Sequence, residues 1–414
     1  MRILMVNKNW YEHGGLERHM FEVKRIFEEL GHEVLAFAME DERSEPVATS
    51  PYFVTPVEFR GGTALDRVRA AERSVVGVQS ARRLRALLAA EHIDAAHVLH
   101  GYHQLGPAFM RVLARERIPT VVSMHDYKLG CPSYRLFDDR TGTICTRCFD
   151  HRFDFLYAPA VTGCWDGSTA GGAMLGVEAL TTRIFGSYSR VPGAVMTVNR
   201  LQAVGARRMG VPESRIHVVP HFADIGSVAP DRLTVATATN GAALYVGRLV
   251  PEKGVDVLIR AAASGGFPVR IAGDGRLASD LAELAAELDA DVTFLGRLSE
   301  EEVRREMETA AVLVVPSVWH EVWGLVINEA FDAGLPVIAS DVGAIGELLG
   351  DGRGLLVPAG DAPALCDAVG RVLDDPEVGR RCARDARRWA STELTRDRFI
   401  ERLRDVWRSA GAEL

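Results

Sequence analysis

Val312-Leu313-Val314-Val315-Pro316-Ser317-Val318-Trp319-His320-Glu321-Val322-Trp323-Gly324-Leu325-Val326-Ile327-Asn328-Glu329-Ala330 is the stretch on which the fold turns. Val312–Val315 is an unbroken apolar run stopped by Pro316, which suits a strand buried on both faces of a parallel sheet. A loop follows, and Gly324 allows a sharp turn into a helix. Ligands of open α/β sheets bind at such carboxyl ends of strands. Two carboxylates stand eight residues apart across the junction, Glu321 in the loop and Glu329 about one turn into the helix. A carboxylate can accept both hydroxyls of a diol, and amides near Gly324 and Leu325 can donate to a phosphate. One acid near a helix start is ordinary dipole complementarity. The whole string is far more specific.

The same strand–loop–helix pattern repeats outward in both directions. Toward the C-terminal side of the chain, strands are predicted at Ala242–Val246, Val269–Ala272, Val292–Leu295 and Pro336–Ala339. An earlier series comprises Ile3–Asn7, Val34–Ala38, Ile93–Val98, Thr120–Met124, Ala194–Val198 and Arg215–Val219. Leu16, Met20, Val23, Phe27 and Leu30 have helical spacing, and Gly31 ends that helix. Such alternation predicts an α/β protein with parallel sheets covered on both faces. The 414 residues exceed one ordinary core. The reading is a domain over 1–224, a second over 225–392 and a linker near 224–230. A helix at about Arg396–Ser409, within 393–414, would return to the first domain.

Composition narrows the class. The chain is 47% hydrophobic and 25% charged, as globular proteins are. No stretch reaches the ~18–20 apolar residues of a membrane span. Met1–Asn7 is too short an apolar run for a signal peptide and reads as a first strand, which implies a cytoplasmic protein. The net charge of −8 speaks against nucleic-acid binding. The arginines from Arg67 to Arg85 read as a solvated helix face. A peripheral contact with the inner face of a membrane, or with an acidic acceptor, is the alternative.

Three further motifs carry chemistry. His13-Gly14-Gly15 separates the first strand from its helix, whose amides could face an anion. Gly247-Arg248-Leu249-Val250-Pro251-Glu252-Lys253-Gly254 follows a strand. Its two cations, five residues apart, could grip a diphosphate. Gly273-Asp274-Gly275 follows the next strand. Asp289-Ala290-Asp291 has the form of a metal-binding Asp-x-Asp but falls between a helix and a strand, where a polar turn is expected.

Together these residues resemble the large retaining glycosyltransferase family with the glutamate-x7-glutamate motif (glycosyltransferase family 4, glycosyl transferases group 1). The resemblance extends over nearly the whole chain, through Gly14-Gly15, His125-Asp126, Gly247-Arg248 with Lys253, Ala272-Gly273-Asp274-Gly275 and Phe294-Leu295-Gly296-Arg297. It implies the GT-B architecture, two facing Rossmann-like domains with a cleft between them. The donor nucleotide would sit mainly in the C-terminal domain and the acceptor in the N-terminal one. Glu321 would hold donor-sugar hydroxyls, Glu329 the ribose, and Arg248 with Lys253 the diphosphate. Backbone near Arg297 would meet the base, and His125 would lie beside the donor sugar. Two positions depart from the family pattern. Trp323 stands where Phe is common, and Pro220-His221-Phe222-Ala223-Asp224 replaces a more usual Pro-Asn-Gly-Val-Asp.

The implied activity is retaining transfer of a sugar from a nucleoside diphosphate, UDP by default and GDP as runner-up. The acceptor would be a glycan, a lipid-linked molecule or a small metabolite. No catalytic metal is expected, the cations taking its electrostatic role. A nucleotide-sugar epimerase and a non-catalytic donor-binding subunit are the alternatives. Cys131, Cys145, Cys148 and Cys164 have the spacing C-x13-C-x2-C-x15-C within an insertion at about 127–165. Structural zinc and free thiols both fit that spacing.

Overall fold

The computed structural model describes residues 1–59, 63–151, 153–165, 167–223 and 241–414. The predicted linker at 224–230 lies outside the described residues. Two compact units divide the chain. The first holds Met1–Arg140, Cys145–Val219 and Ile400–Leu414, and the second Thr141–Ile144 and Pro220–Phe399. The first domain thus resumes at Ile400 rather than at residue 393.

In the first domain, strands β1 (Arg2–Asn7), β2 (Glu33–Phe37), β3 (Ala95–His100), β4 (Thr120–Met124), β7 (Ala194–Thr197) and β8 (Ile216–Val218) form one sheet, in the order β2-β1-β3-β4-β7-β8. Two two-residue strands, β5 (Phe137–Asp138) and β6 (Thr143–Ile144), fall between β4 and β7 in sequence. All recorded pairings of the large sheet are parallel. Ile3, Leu4, Met5 and Val6 are fully buried, because helices cover both faces of a parallel sheet. The helices are α1 (Gly15–Glu29), α2 (Ala64–Val75), α3 (Val78–Ala90), α4 (Ala108–Arg115), α5 (Arg147–Asp150), α6 (Ala158–Thr162), α7 (Thr169–Phe185) and α8 (Arg200–Arg208). The cysteine-bearing segment is anchored by an aromatic side chain. Phe149 fills the space beside Gly130, where a Cβ would lie 2.3 Å from its ring. Trp407, near the end of the chain, is fully buried against Phe27 and His97, with ring centroids 6.1 and 5.9 Å apart.

The second domain repeats the plan. Strands β9 (Ala243–Val246), β10 (Val269–Ala272), β11 (Val292–Gly296), β12 (Val312–Val315), β13 (Val337–Ser340) and β14 (Leu355–Val357) pair in the order β11-β10-β9-β12-β13-β14. Helices α9 (Val255–Gly265), α10 (Ala278–Glu287), α11 (Glu300–Thr309), α12 (Leu325–Ala333), α13 (Ile345–Leu349), α14 (Ala362–Asp374), α15 (Pro376–Glu393) and α16 (Arg396–Ala410) complete the chain, α16 passing into the first domain at Ile400. The order of strands reverses between β9 and β12, which are direct neighbours with Leu244 opposite Leu313. Chain segments leaving two such strands diverge and open a crevice at their carboxyl ends.

Candidate functional site

That crevice in the second domain receives the loop after β9 and the loop after β12. The first runs through Gly247 and Arg248 into a tight turn over Pro251–Lys253. Gly254 ends the turn at φ +62°, and a Cβ there would lie 2.1 Å from the Pro316 carbonyl oxygen. Only glycine allows the two loops to come so close. The Val318 amide donates to the Glu252 carbonyl at 3.0 Å and ties them together.

This approach sets Lys253 against Glu321. The Lys253 Nζ lies 2.6 Å from Glu321 Oε1 and 5.4 Å from the centre of the Trp319 ring. Ser317 Oγ donates to the same Oε1 at 2.5 Å. Glu321 is 6% exposed. Burial alone would raise its carboxyl, but Lys253 and the hydrogen bonds outweigh burial and hold it below the ordinary glutamate value. Behind it, the Ala344 amide donates to the Glu321 carbonyl at 2.9 Å, and Gly343 donates to His320 Nδ1 at 3.0 Å. A side chain that accepts at Nδ1 and sits half-buried is a neutral imidazole, and burial lowers the His320 pKa accordingly.

Gly324 stands at φ +103° and starts α12, whose first turn has neither a side-chain cap nor an acid. Glu329 follows on that helix and is half-buried. The glycines after β9, β10 and β11 form a second close-packed group. The Gly273 amide donates to Gly296 at 2.7 Å, and a Cβ on Gly273 would lie 1.8 Å from the Gly247 carbonyl oxygen. Arg297, next to Gly296, is exposed.

Arg248 lies on the same turn, outside the Lys253–Glu321 ion pair. Its side chain is 67% exposed and its guanidinium lies 3.7 Å from buried Glu252. Ser317 and Trp319, which position the pair, were not singled out from sequence. Their role depends on how the loop folds back, which residue type alone does not signal. Asn328 is also new. It is 4% exposed, and its side-chain amide has no hydrogen-bond partner among the described residues.

In the first domain, Gly14 is the extended residue before α1. Its φ of −168° is extended backbone that suits any residue. Buried Glu17 already places a carboxylate in the first turn of α1, held by Asn9 Nδ2 at 3.1 Å. That carboxylate opposes an anion at Gly14-Gly15. His125 follows β4, its ring 5.5 Å from that of His19. Burial holds His125 at about 4, so it is neutral at pH 7. Asp126 is pushed up to about 6, chiefly by burial. Deeper in this domain, Lys128 Nζ and His103 Nδ1 lie 2.9 and 3.0 Å from Glu178 Oε2. Burial works against the Glu178 carboxylate, but His103 and Lys128 hold it at about 2.

Burial and the charges of Cys131, Cys164 and Cys145 push the Cys148 thiol far up, so the four sulfurs lie within electrostatic reach of one another. Yet no group of three or more His, Cys, Asp or Glu among the described residues is arranged to hold a metal ion. None of the four is in a disulfide, and Cys131 Sγ lies 3.2 Å from Ser133 Oγ. No helix among the described residues is long and apolar enough to cross a membrane.

Comparison with known proteins places these loops in context. The model for Glycosyltransferase Family 4 matches residues 13–160, and that for Glycosyl transferases group 1 matches 236–389. An alpha-D-kanosaminyltransferase from Streptomyces kanamyceticus is 36% identical over 176 residues, 41% of this chain and 45% of the relative. A D-inositol 3-phosphate glycosyltransferase from Nocardioides is 31% identical over 264 residues, 56% of this chain and 57% of the relative. The chain spans about half the length of the curated relatives it matches. Among solved structures, sucrose-phosphate synthase from Thermosynechococcus elongatus aligns with a TM-score of 0.66 at 20% identity, over 98% of each chain. Anabaena HepE, in complex with UDP and glucose, aligns with a TM-score of 0.66 at 17% identity, over 99% of this chain and 100% of that one. The chain is therefore similar to Glycosyltransferase Family 4 over residues 13–160 and to Glycosyl transferases group 1 over 236–389, on the two parallel-sheet α/β domains of the GT-B architecture.

Proposed function

We propose that this protein is a retaining glycosyltransferase that moves a sugar from a nucleoside diphosphate to an acceptor hydroxyl. The observation that carries this reading is the Lys253–Glu321–Ser317 cluster at the reversal of strand order. Its buried carboxylate stays ionised and can accept hydrogen bonds from sugar hydroxyls. The Lys253 ammonium has three donors, so serving Glu321 still leaves it donors for a phosphate oxygen. The uncapped start of α12 adds backbone amides on the same loop, with no acid in its first turn to oppose an anion.

In the reaction, the bond between the anomeric carbon and the distal phosphate oxygen breaks, and its electron pair stays on that oxygen. Lys253 and the amides at Gly324 and Leu325 stabilise the growing charge. Arg248, exposed on the neighbouring turn, supplies further positive potential. The acceptor oxygen bonds to the anomeric carbon on the face the phosphate leaves, and its proton passes to the departing phosphate. No side-chain nucleophile is required. Glu329 holds the ribose and the backbone at Arg297 meets the base. His125, neutral, serves as a hydrogen-bonding group beside the sugar. UDP is the first choice of nucleotide and GDP the second. The relatives' names favour a small polar or glycan acceptor.

A thermal-shift panel of nucleotide sugars tests the reading, since a specific ligand raises apparent stability. One nucleotide sugar should raise the melting temperature, and free nucleotide diphosphate should then accumulate only when an acceptor is added. Absence of a shift with every nucleotide sugar would overturn it. Release without any acceptor would favour an epimerase-like or hydrolytic enzyme.

A further inference from the structure

Of the fourteen large apolar side chains that are exposed among the described residues, twelve lie between Leu65 and Phe185, and only Val218 and Leu356 lie elsewhere. Apolar surface concentrated in this way marks an interaction face. Its centre is α7, a 17-residue helix. Ala170, Ala173, Val177, Leu180 and Ile184 all face outward there, at alternating spacings of three and four residues. That spacing draws one unbroken stripe along a helix. Val177 is 49% exposed and Ile184 59%. The opposite face buries Leu175, Glu178, Ala179 and Thr182 in the domain, so the stripe is not a misplaced core face. Helices α2 and α6 pack beside α7 and extend the surface with Leu65, Val68 and Val161, exposed by 56%, 65% and 65%.

Arginines rim this face and lie against its aromatic rings. The Arg111 guanidinium sits 4.1 Å from the centre of the exposed Phe185 ring and Arg147 5.4 Å from exposed Tyr157, while Arg183 lies 3.5 Å from the buried Phe155 ring. Arg190 is exposed beside them and donates to the carbonyl of Arg183 at 3.4 Å. Neither Arg111 nor Arg190 has a carboxylate partner among the described residues. Asp150 and Asp154 are occupied by Arg208 and Arg147 at 3.0 and 2.8 Å.

We propose that this face rests on an anionic lipid surface. The α7 stripe would lie at the acyl boundary, and Arg111 and Arg190 would meet the phosphates. An interfacial surface needs aliphatic side chains inward, aromatic rings at the headgroup level and cations at the rim. Rim cations that have no carboxylate of their own favour an anionic occupant. The α7 stripe offers only Ala, Val, Leu and Ile. Within the Arg67–Arg85 segment Arg73 is buried, donating to the carbonyls of Thr55 and Gln104. The proposal stands independently of the donor site.

The test is co-sedimentation of the full chain with phosphatidylcholine vesicles prepared with and without phosphatidylglycerol. The wild type should pellet with the anionic vesicles, and less so as salt is raised. The double substitution Val177→Glu with Ile184→Glu should lower partitioning by about tenfold or more. Unchanged circular dichroism and melting temperature would show that the variant is folded. Leu180→Gln, a milder change at the same stripe, serves if it is not. A wild type that stays in the supernatant with both vesicles overturns the proposal. So does a dimer in light scattering that Leu180→Gln makes monomeric, which would assign the face to a second copy of the chain.

Discussion

Replacing Lys253 by methionine and Glu321 by glutamine, singly and together, probes the cluster most sharply. Two unit charges 2.6 Å apart interact by about 6 kcal/mol at an effective dielectric constant of about 20. Desolvation of both groups offsets much of this. Lys253→Met leaves a carboxylate that is 6% exposed with Ser317 but without its cation. That single change should cost about 3 kcal/mol, the lower end for a broken buried pair. The Lys253 side chain keeps 21% exposure, so Glu321→Gln should cost less, about 1–2 kcal/mol. The double variant should fall short of the sum by about 2 kcal/mol. Urea denaturation at pH 7 measures all four proteins. The pH dependence has a fixed sign. Glu321 titrates below its ordinary value of 4.5, so the pair's contribution is full above that value and is lost as pH falls below it. Strictly additive single costs, or a coupling that persists in strong acid, would refute the ion-pair account.

Gly254→Ala should destabilise the second domain by about 2 kcal/mol or more and weaken donor binding. A Cβ at φ +62° must push the turn off Pro316 and carry Lys253 with it. Calorimetric titration with the nucleotide and a melting curve report the two effects. Glu178→Gln should cost the first domain about 3 kcal/mol, since it leaves buried Lys128 without its carboxylate. Glu178 titrates at about 2, so the wild-type advantage should persist down to pH 4.5 and fade as pH drops toward 2, as urea midpoints would show. All six cysteines should react with a thiol reagent after denaturation without reductant. Elemental analysis decides between the two readings of the four clustered thiols, one zinc per chain assigning them to a metal site.

Much of this architecture was legible in sequence, and the parts that were not share a cause. Val312–Val315 and Thr120–Met124 have the predicted bounds as strands, because both lie in the interior of a parallel sheet and must be apolar throughout. The edge strand Leu355–Val357 was not read. It has three residues, only Val357 of them buried, and Leu355-Leu356-Val357 is too short an apolar run to tell from a loop. The resemblance put Lys253 and Glu321 in one site, and they lie 2.6 Å apart. Arg248 was read with Lys253 from their five-residue spacing, and its side chain is exposed beside Glu252. The Glu178 charge cluster and the outward stripe of α7 left no signal. This helix carries apolar residues on both its faces, and sequence periodicity cannot say which face the domain covers. The cysteine spacing was ambiguous for a different reason. Spacing reports which thiols can meet and says nothing of the angles at which they do.

The central claim is that a nucleoside diphosphate binds where β9 and β12 part, with Lys253 on its phosphates. Calorimetric titration of UDP, then GDP, into the wild type and Lys253→Met tests it most directly. The account predicts saturable binding of one nucleotide to the wild type and affinity at least about tenfold weaker in the variant, as loss of a charge-assisted contact implies. Equal affinity in the two proteins would contradict it.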